Sequence, residues 1–359
     1  MPKKIFIAAN SCWNILNFRE SLIRKLLSQN YRIFILAPRD SYSDELINIG
    51  CEFLNVRLAG RSIALINNIL TIFDYLYYSL KYTPKYILTF TIKPNLYFSF
   101  LSIFFNYKVI VNITGLGFNL SKPRALNFFI IFLYKLFIKN AFFIFFQNKD
   151  DKNFFLKHIG LFKKSSFRVL PGSGVNLSKF SFSPFKPRKE FRITMISRLL
   201  ITKGVLNYLE AANYLKSKYS NINFSLVGEN IDIPIDLKKL RYVKYFNHTD
   251  DVKSFLRRCD ILVHPSYYGE GVPRILLEAL ASGRPIITTN SVGCKEVVRD
   301  GENGFVVEPN NTEDLVEKIE AMILLPRKKI SQMCLKSRLF AEKRFDERRV
   351  IKAYLSIVK

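Results

Sequence analysis

The sequence predicts an α/β protein made of two doubly wound parallel-sheet domains, and three observations predict it. The chain has 359 residues, too many for one ordinary core and right for two domains of typical size. Short β-rich runs alternate throughout with longer amphipathic stretches, as in parallel strands joined by crossover helices. Between the two halves, residues 178–189 are dominated by Ser, Pro and Lys, and Pro184 and Pro187 forbid a continuing helix.

In chain order, strands are expected at residues 4–9, 32–37, 86–90, 108–112, 142–146 and 168–170. Helices are expected between them at 18–28, 63–81, 95–104, 124–138 and 150–158. Alternation resumes after the break, with strands at 192–197, 223–227, 242–245, 261–264, 285–289 and 304–307. Helices there fall at 205–219, 250–257, 274–282 and 312–324. The expected division is an N-terminal Rossmann-like domain over 1–177, a linker over 178–189 and a C-terminal Rossmann-like domain over 190–340. A helix within 341–359 is expected to pack back on the N-terminal domain.

Composition constrains the partners. Fifty-five Lys and Arg stand against 29 Asp and Glu, a formal charge of +26. Residues 1–185 hold 24 of those cations and 8 of the acids, so the excess is concentrated in the N-terminal half. Nucleic acid, an anionic membrane surface or an acidic substrate would each respond to such a field. The same half is rich in Phe, Tyr, Ile and Leu, notably over 126–146, where Lys135 and Lys139 interrupt apolar runs; this favours a membrane surface over nucleic acid. An AT-rich genome, which inflates Lys, Asn, Ile and Phe, is the alternative source of the same composition.

No stretch reaches eighteen apolar residues without a charge, and the N-terminus runs directly into a short strand. The expectation is a cytoplasmic protein, peripheral on the inner face of the membrane. Five scattered cysteines, Cys12, Cys51, Cys259, Cys294 and Cys334, lack CxxC spacing and indicate neither a disulfide framework nor a metal site. No Asp-x-Asp pair is present to carry a divalent ion between phosphates, and no metal is expected. A nicotinamide or flavin enzyme would need glycines after its first strand; here that turn reads Asn10, Ser11, Cys12, Trp13, Asn14.

The chemistry concentrates in the second domain. A buried strand ends near His264, a loop follows with Ser266, Gly269, Glu270, Gly271 and Val272, and Pro273 or Arg274 starts a helix. The amides of Gly271 and Val272 and the helix N-terminus make an electropositive corner suited to phosphate or sugar oxygens. Glu278, about a turn into that helix, is expected to face the same corner, so that Glu270 and Glu278 grip one ligand at two places. Upstream, Arg198 and Lys203 flank a strand-to-helix turn where two cations can clasp a diphosphate. Gly228, ending the next strand, leaves room for a nucleotide.

Glu270 and Glu278 match the E-x7-E signature of the retaining glycosyltransferases of family 4, which have the GT-B fold of two Rossmann-like domains facing across a cleft. The local Pro-Ser-Tyr-Tyr-Gly-Glu-Gly-Val-Pro and the Ala-Ser-Gly-Arg-Pro-Ile-Ile of residues 281–287 resemble that family too. Further likeness lies at Gln147, Asn148 and Asp151, at residues 171–176, at 293–296 and at 300–305. Residues 91–95 and 112–117 look like bacterial members that extend lipid-linked surface glycans, such as lipopolysaccharide or O-antigen. Among these, transferases adding N-acetylgalactosamine or a related hexosamine to undecaprenyl-diphosphate-linked sugars are the nearest comparison.

The resemblance implies a catalytic set of Glu270, Arg198 and Lys203, and donor contacts from Glu278, Gly271, Val272, Pro273, Gly228 and Ser266. It implies a nucleotide-sugar donor, a UDP-sugar, with no cofactor, a lipid-linked glycan acceptor and retention of anomeric configuration. The chain departs from the family in its glycine-free first turn and in lacking a histidine near Thr91. Acceptor contacts are therefore assigned to Asn14, Asn17, Arg19 and Lys93. A nucleotide-sugar epimerase of the same architecture, a basic nucleic-acid-binding protein and a non-catalytic sugar-binding homologue are the competing readings.

Overall fold

The structure, a computed structural model, describes residues 2–59, 65–115, 124–160 and 166–359. It divides into two compact units, Met1–Ser173 with Arg348–Lys359, and Gly174–Glu347. The Ser- and Pro-rich residues 178–189 thus fall inside the second unit.

In the first unit the described elements are β1 (Lys4–Ala8), α1 (Cys12–Ser28), β2 (Arg32–Ala37), α2 (Ser43–Asn48), β3 (Glu52–Asn55), α3 (Leu65–Tyr82), β4 (Tyr86–Thr89) and α4 (Ile92–Leu101). There follow β5 (Lys108–Ile113), α5 (Arg124–Phe137), β6 (Phe143–Phe146), α6 (Lys149–His158) and β7 (Ser166–Val169). The strands form a parallel sheet in the order β3-β2-β1-β4-β5-β6-β7. Side chains alternate across it: Ile5 and Ile7 join one buried cluster with α1, while Phe6 and Ala8 join another beneath α3, α4 and α5.

The second unit holds β8 (Phe191–Ile196), α7 (Val205–Lys218), β9 (Ile222–Val227), β10 (Val243–Phe246), α8 (Val252–Arg258), β11 (Ile261–His264) and α9 (Arg274–Ala281). It continues with β12 (Ile286–Thr289), β13 (Gly304–Val307), α10 (Thr312–Leu324) and α11 (Arg327–Phe340). Its parallel sheet runs β10-β9-β8-β11-β12-β13. In each sheet the strand order reverses once, between β1 and β4 and between β8 and β11. Loops leaving the carboxyl ends of strands diverge at such a point, and ligands bind in the resulting crevice.

The final helix, α12 (Glu347–Leu355), belongs to the first unit: Val350, Ala353 and Tyr354 are buried in the same cluster as Ile5 and α1. Asn112 Nδ2 donates to the Tyr354 hydroxyl at 2.5 Å, and the Tyr86 hydroxyl donates to the Lys359 carbonyl at 2.6 Å.

Several elements differ from the sequence-based expectation, among them α2 and α11, which fall where no helix is expected. Strand β3 is a short edge strand that opens on Glu52 and lacks an apolar run, so periodicity does not expose it. Helix α1 begins at Cys12 and not at residue 18, because Ser11 caps it by accepting from the Asn14 amide at 3.1 Å. Its first turn is thus made of the residues read as a loop. Helix α4 likewise starts at Ile92, ahead of Pro94, which a first helical turn tolerates. The expected start of α3 at Ile63, and Leu116 and Gly117 of the glycan-extending likeness, lie outside the described residues.

Candidate active site

The site of the second unit is built at its switch point. Strands β8 and β11 are neighbours, with Ile261 beside Ile193 and Leu262 beside Thr194. Beyond them the chain turns in two different directions. After β8, Gly204 adopts the left-handed conformation and caps the short turn Ile201–Lys203 before α7. A Cβ there would collide with the Pro265 carbonyl, so only glycine lets this turn lie against the loop after β11. The two loops are also tied by hydrogen bonds from the Tyr267 amide (3.2 Å) and the Ser266 hydroxyl (3.5 Å) to the Thr202 carbonyl.

This contact places Lys203 beside Glu270, with Nζ 2.5 Å from Oε1. The same oxygen accepts from the Ser266 hydroxyl at 3.2 Å and stands 3.6 Å from His264 Nε2. Burial works to raise the Glu270 carboxyl, but the pull of Lys203 together with His264 prevails and holds it well below the usual carboxylate range. Burial lowers the His264 pKa, and the hydrogen bond and charge of Glu270 oppose the fall. Gly293 braces the loop from the next connection: its φ of +83° and its close approach to the Glu270 and Gly271 carbonyls leave no room for a side chain. The Glu270 amide donates to the Val292 carbonyl at 3.2 Å.

Helix α9 follows at once, with Pro273 at its N-cap and Gly271 and Val272 buried just before it. Glu278 is buried on this helix and accepts from Arg274 Nε at 2.9 Å. Burial raises the Glu278 carboxyl, and Arg274 opposes it. Arg198, by contrast, is exposed on the turn after β8; burial and Glu270 raise the Tyr268 phenol nearby, and the Arg198 charge opposes that rise. Gly228 ends β9 with its backbone against the Ser197 carbonyl, and its amide donates to the Phe246 carbonyl at 2.9 Å.

Of the residues singled out in the sequence, the structure thus brings Lys203, Ser266 and Glu270 into direct contact and places Gly271, Val272 and Pro273 next in the chain. Glu278 has a partner, Arg274, that sequence reasoning treated only as a helix start. The i to i+4 spacing of Arg274 and Glu278 was the available signal. His264 was read as a strand residue beside the site; its contact with Glu270 depends on the loop folding back and has no sequence signature.

One group among the described residues could hold a metal ion: ligand atoms of His264, Glu270 and Cys294 lie within 4.8 Å of one another. The Lys203 ammonium already supplies a positive charge at Glu270, and burial pushes the Cys294 thiol up to about 12.

In the first unit, the acceptor candidates flank the other switch point. Asn14 and Asn17 are half-buried on the first turns of α1, after β1. Lys93 is in the first turn of α4, after β4, where Nζ donates to the Ala59 carbonyl at 2.7 Å and burial lowers its pKa. Arg19 is buried, with its guanidinium 4.3 Å from the centre of the Phe90 ring.

Two doubly wound units, the second with a charged cluster at the carboxyl ends of β8 and β11, have the architecture of the GT-B fold. Among solved structures, sucrose-phosphate synthase from Thermosynechococcus elongatus is similar at a TM-score of 0.81, with 14% identity over 99% of this chain and 98% of that one. HepE of Anabaena in complex with UDP and glucose is similar at 0.77, with 16% identity over 99% of each chain. These likenesses carry the fold. Residues 178–337 match the model of the glycosyl transferases group 1. Along 96% of its length the chain is 27% identical to the N,N'-diacetylbacillosaminyl-diphospho-undecaprenol alpha-1,3-N-acetylgalactosaminyltransferase of Campylobacter jejuni, covering 95% of that relative. The group 1 match thus lies within the second unit, and the chain is a glycosyltransferase that transfers sugar from a nucleotide-sugar donor.

Proposed function

We propose that the enzyme moves an N-acetylhexosamine from a UDP-sugar onto a lipid-linked glycan, in the assembly of a surface polysaccharide. The observation that carries the reading is the contact of Lys203 with Glu270 at the end of β11, one loop before α9. Full-length similarity to a transferase that acts on a diphospho-undecaprenol-linked sugar supports the acceptor, and the UDP bound by HepE supports the donor.

In this scheme the donor lies over the start of α9. Glu278 accepts from the ribose hydroxyls, while Glu270 and the amides of Gly271 and Val272 hold sugar hydroxyls. Gly228 and Ser266 leave room for the nucleotide and fix the loop. As the bond from the anomeric carbon to the diphosphate breaks, negative charge grows on the departing phosphate. Lys203 and Arg198 stabilise it, which is electrostatic catalysis by preorganised cations. The acceptor hydroxyl attacks the face the leaving group vacates and its proton passes to the departing phosphate, so configuration is retained; Asn14, Asn17 and Lys93 are the candidates for holding the acceptor glycan, whereas Arg19 is buried over Phe90. Neither glutamate acts as a nucleophile, and no metal is required.

The test is nucleotide release from a panel of UDP-, GDP- and ADP-sugars with a lipid extract as acceptor, with and without EDTA. Release confined to a UDP-hexosamine, giving a lipid-soluble glycosylated product and lost in Glu278→Ala and Arg198→Ala, is the expected result. Release of free epimerised donor sugar without acceptor would replace transfer with epimerisation. Loss of activity in EDTA would return the His264, Glu270 and Cys294 trio to the mechanism.

A further inference from the structure

We propose that the outer face of the helical layer α3, α4 and α5 in the first unit is a docking surface for an anionic phospholipid bilayer. This rests on the lipid-linked acceptor proposed above and names the surface by which the enzyme would reach it.

The three helices pack over one face of the sheet, through Tyr75 of α3, Phe98 of α4 and Tyr134 of α5. A soluble α/β layer turns its polar side outward. Here the reverse sides of α3 and α5 are apolar as well. At about 100° per residue, Ile66, Phe73 and Leu80 share one face of α3, opposite Tyr75. On α5, Phe128, Phe129 and Phe132 likewise lie away from Tyr134. All six side chains belong to residues between 56% and 72% exposed, an apolar surface of a kind that monomeric proteins do not leave in water without use.

Charge decides the occupant. The only acid in the sequences of these three helices is Asp74, and it is bound by Arg57 at 2.5 Å. Lys81 and Lys135 close the last turns of α3 and α5. An apolar face edged by cations, in the half of the chain that carries an excess of sixteen positive charges, is attracted to anionic lipid and repels a second copy of itself. Aromatic side chains with flanking lysines suit the headgroup boundary, where rings enter and ammonium groups meet phosphates. Contact would be peripheral, since no described helix is long and apolar enough to cross a membrane.

The direction of the helices adds a reason. In a parallel sheet the crossover helices run antiparallel to the strands, so the starts of α3, α4 and α5 lie at the carboxyl edge of the sheet. Asn14 and Lys93 follow β1 and β4 at that edge. Ile66 and Phe128, near the starts of α3 and α5, extend the apolar face toward it. A lipid anchored in the bilayer would thus present its glycan head on the side where the acceptor candidates stand.

The experiment is flotation with vesicles of phosphatidylcholine alone and of phosphatidylcholine with phosphatidylglycerol, at low and high salt. The double variant Phe73→Glu/Phe132→Glu is compared with a control, Tyr214→Glu/Leu335→Glu, which charges exposed apolar residues of the second unit. The wild type and the control should float with the anionic vesicles and less so in high salt. The Phe73→Glu/Phe132→Glu protein should lose binding by about tenfold or more. Equal flotation of both variants, or no flotation of the wild type, overturns the proposal. So does a wild-type dimer that this double variant dissociates, which would make the face a self-interface. Transfer to a detergent-solubilised lipid-linked acceptor, assayed on the same proteins, should be unchanged by the two substitutions. Normal flotation without such transfer would sink the acceptor reading and leave the docking surface standing.

Discussion

Lys203 Nζ lies 2.5 Å from Glu270 Oε1, and both side chains are largely withdrawn from solvent. Taking two charges out of water costs several kcal/mol per ion, so such a pair is poor evidence for stability. In the mechanism proposed above, its value lies in fixing a cation where phosphate charge develops and a carboxylate where sugar hydroxyls arrive.

Removing one partner exposes that design. Lys203→Met is expected to lower kcat/KM by about a hundredfold or more, the size of a lost transition-state contact. It is also expected to destabilise the fold by about 3 kcal/mol by leaving Glu270 charged and uncompensated. Lys203→Met/Glu270→Gln should regain most of that stability in thermal melts and none of the activity. In the wild type the depressed Glu270 carboxyl contributes stability that is present above its unfolded pKa of about 4.3 and is lost on further acidification.

Arg274 and Glu278 predict a pH dependence. Burial raises the Glu278 carboxyl and Arg274 restrains the rise. Protonated Glu278 loses the charge that strengthens its proposed hydrogen bonds from the ribose, so donor affinity should fall as pH falls through its folded pKa. In Arg274→Met the restraint is gone, and the fall should move to higher pH, with KM for the donor raised about tenfold at neutral pH, the worth of one charge-assisted hydrogen bond. Arg274→Lys should recover part of the shift. An identical pH profile of KM in Arg274→Met and wild type would refute the role.

Gly228 tests the backbone at the switch point. Its φ of +143° and the Ser197 carbonyl against its Cα allow no side chain. Gly228→Ala is expected to separate the ends of β8 and β9 and to cost about 2 kcal/mol, read as a loss of several degrees in Tm. Nucleotide affinity should drop more steeply than stability, because the same shift narrows the crevice.

Tyr354 tests the return of the chain to the first unit. Its ring packs at a tilt against Phe145 and Phe90, with centroids 4.5 Å and 6.0 Å away, and its hydroxyl accepts from the buried Asn112 side-chain amide. Tyr354→Phe leaves that donor unsatisfied and should cost about 1–3 kcal/mol in denaturant unfolding. Tyr354→Ala should cost more, by adding a cavity.

Much of the site was legible because its chemistry is local in sequence. Glu270, Gly271, Val272, Pro273 and Glu278 stand on one loop and one short helix, and a proline and two glycines announce that geometry. Alternation of strands and helices was legible for the same reason, since each element carries its own period. Among the elements that escaped, β3 is short and polar at its edge, α2 has only six residues, α11 falls where no helix is expected, and the first turn of α1 is set by a cap at Ser11.

What the sequence by itself determined is therefore the α/β order, the paired sheets and the loop that presents Glu270. Tertiary structure alone decided that Lys203 meets Glu270 across two loops from non-consecutive strands, that His264 is buried beside them and that Arg19 turns inward over Phe90. It also decided that the reverse faces of α3 and α5 stay uncovered. Period and composition specify how a helix divides its faces. Which of those faces finds a partner depends on what the rest of the chain brings against it.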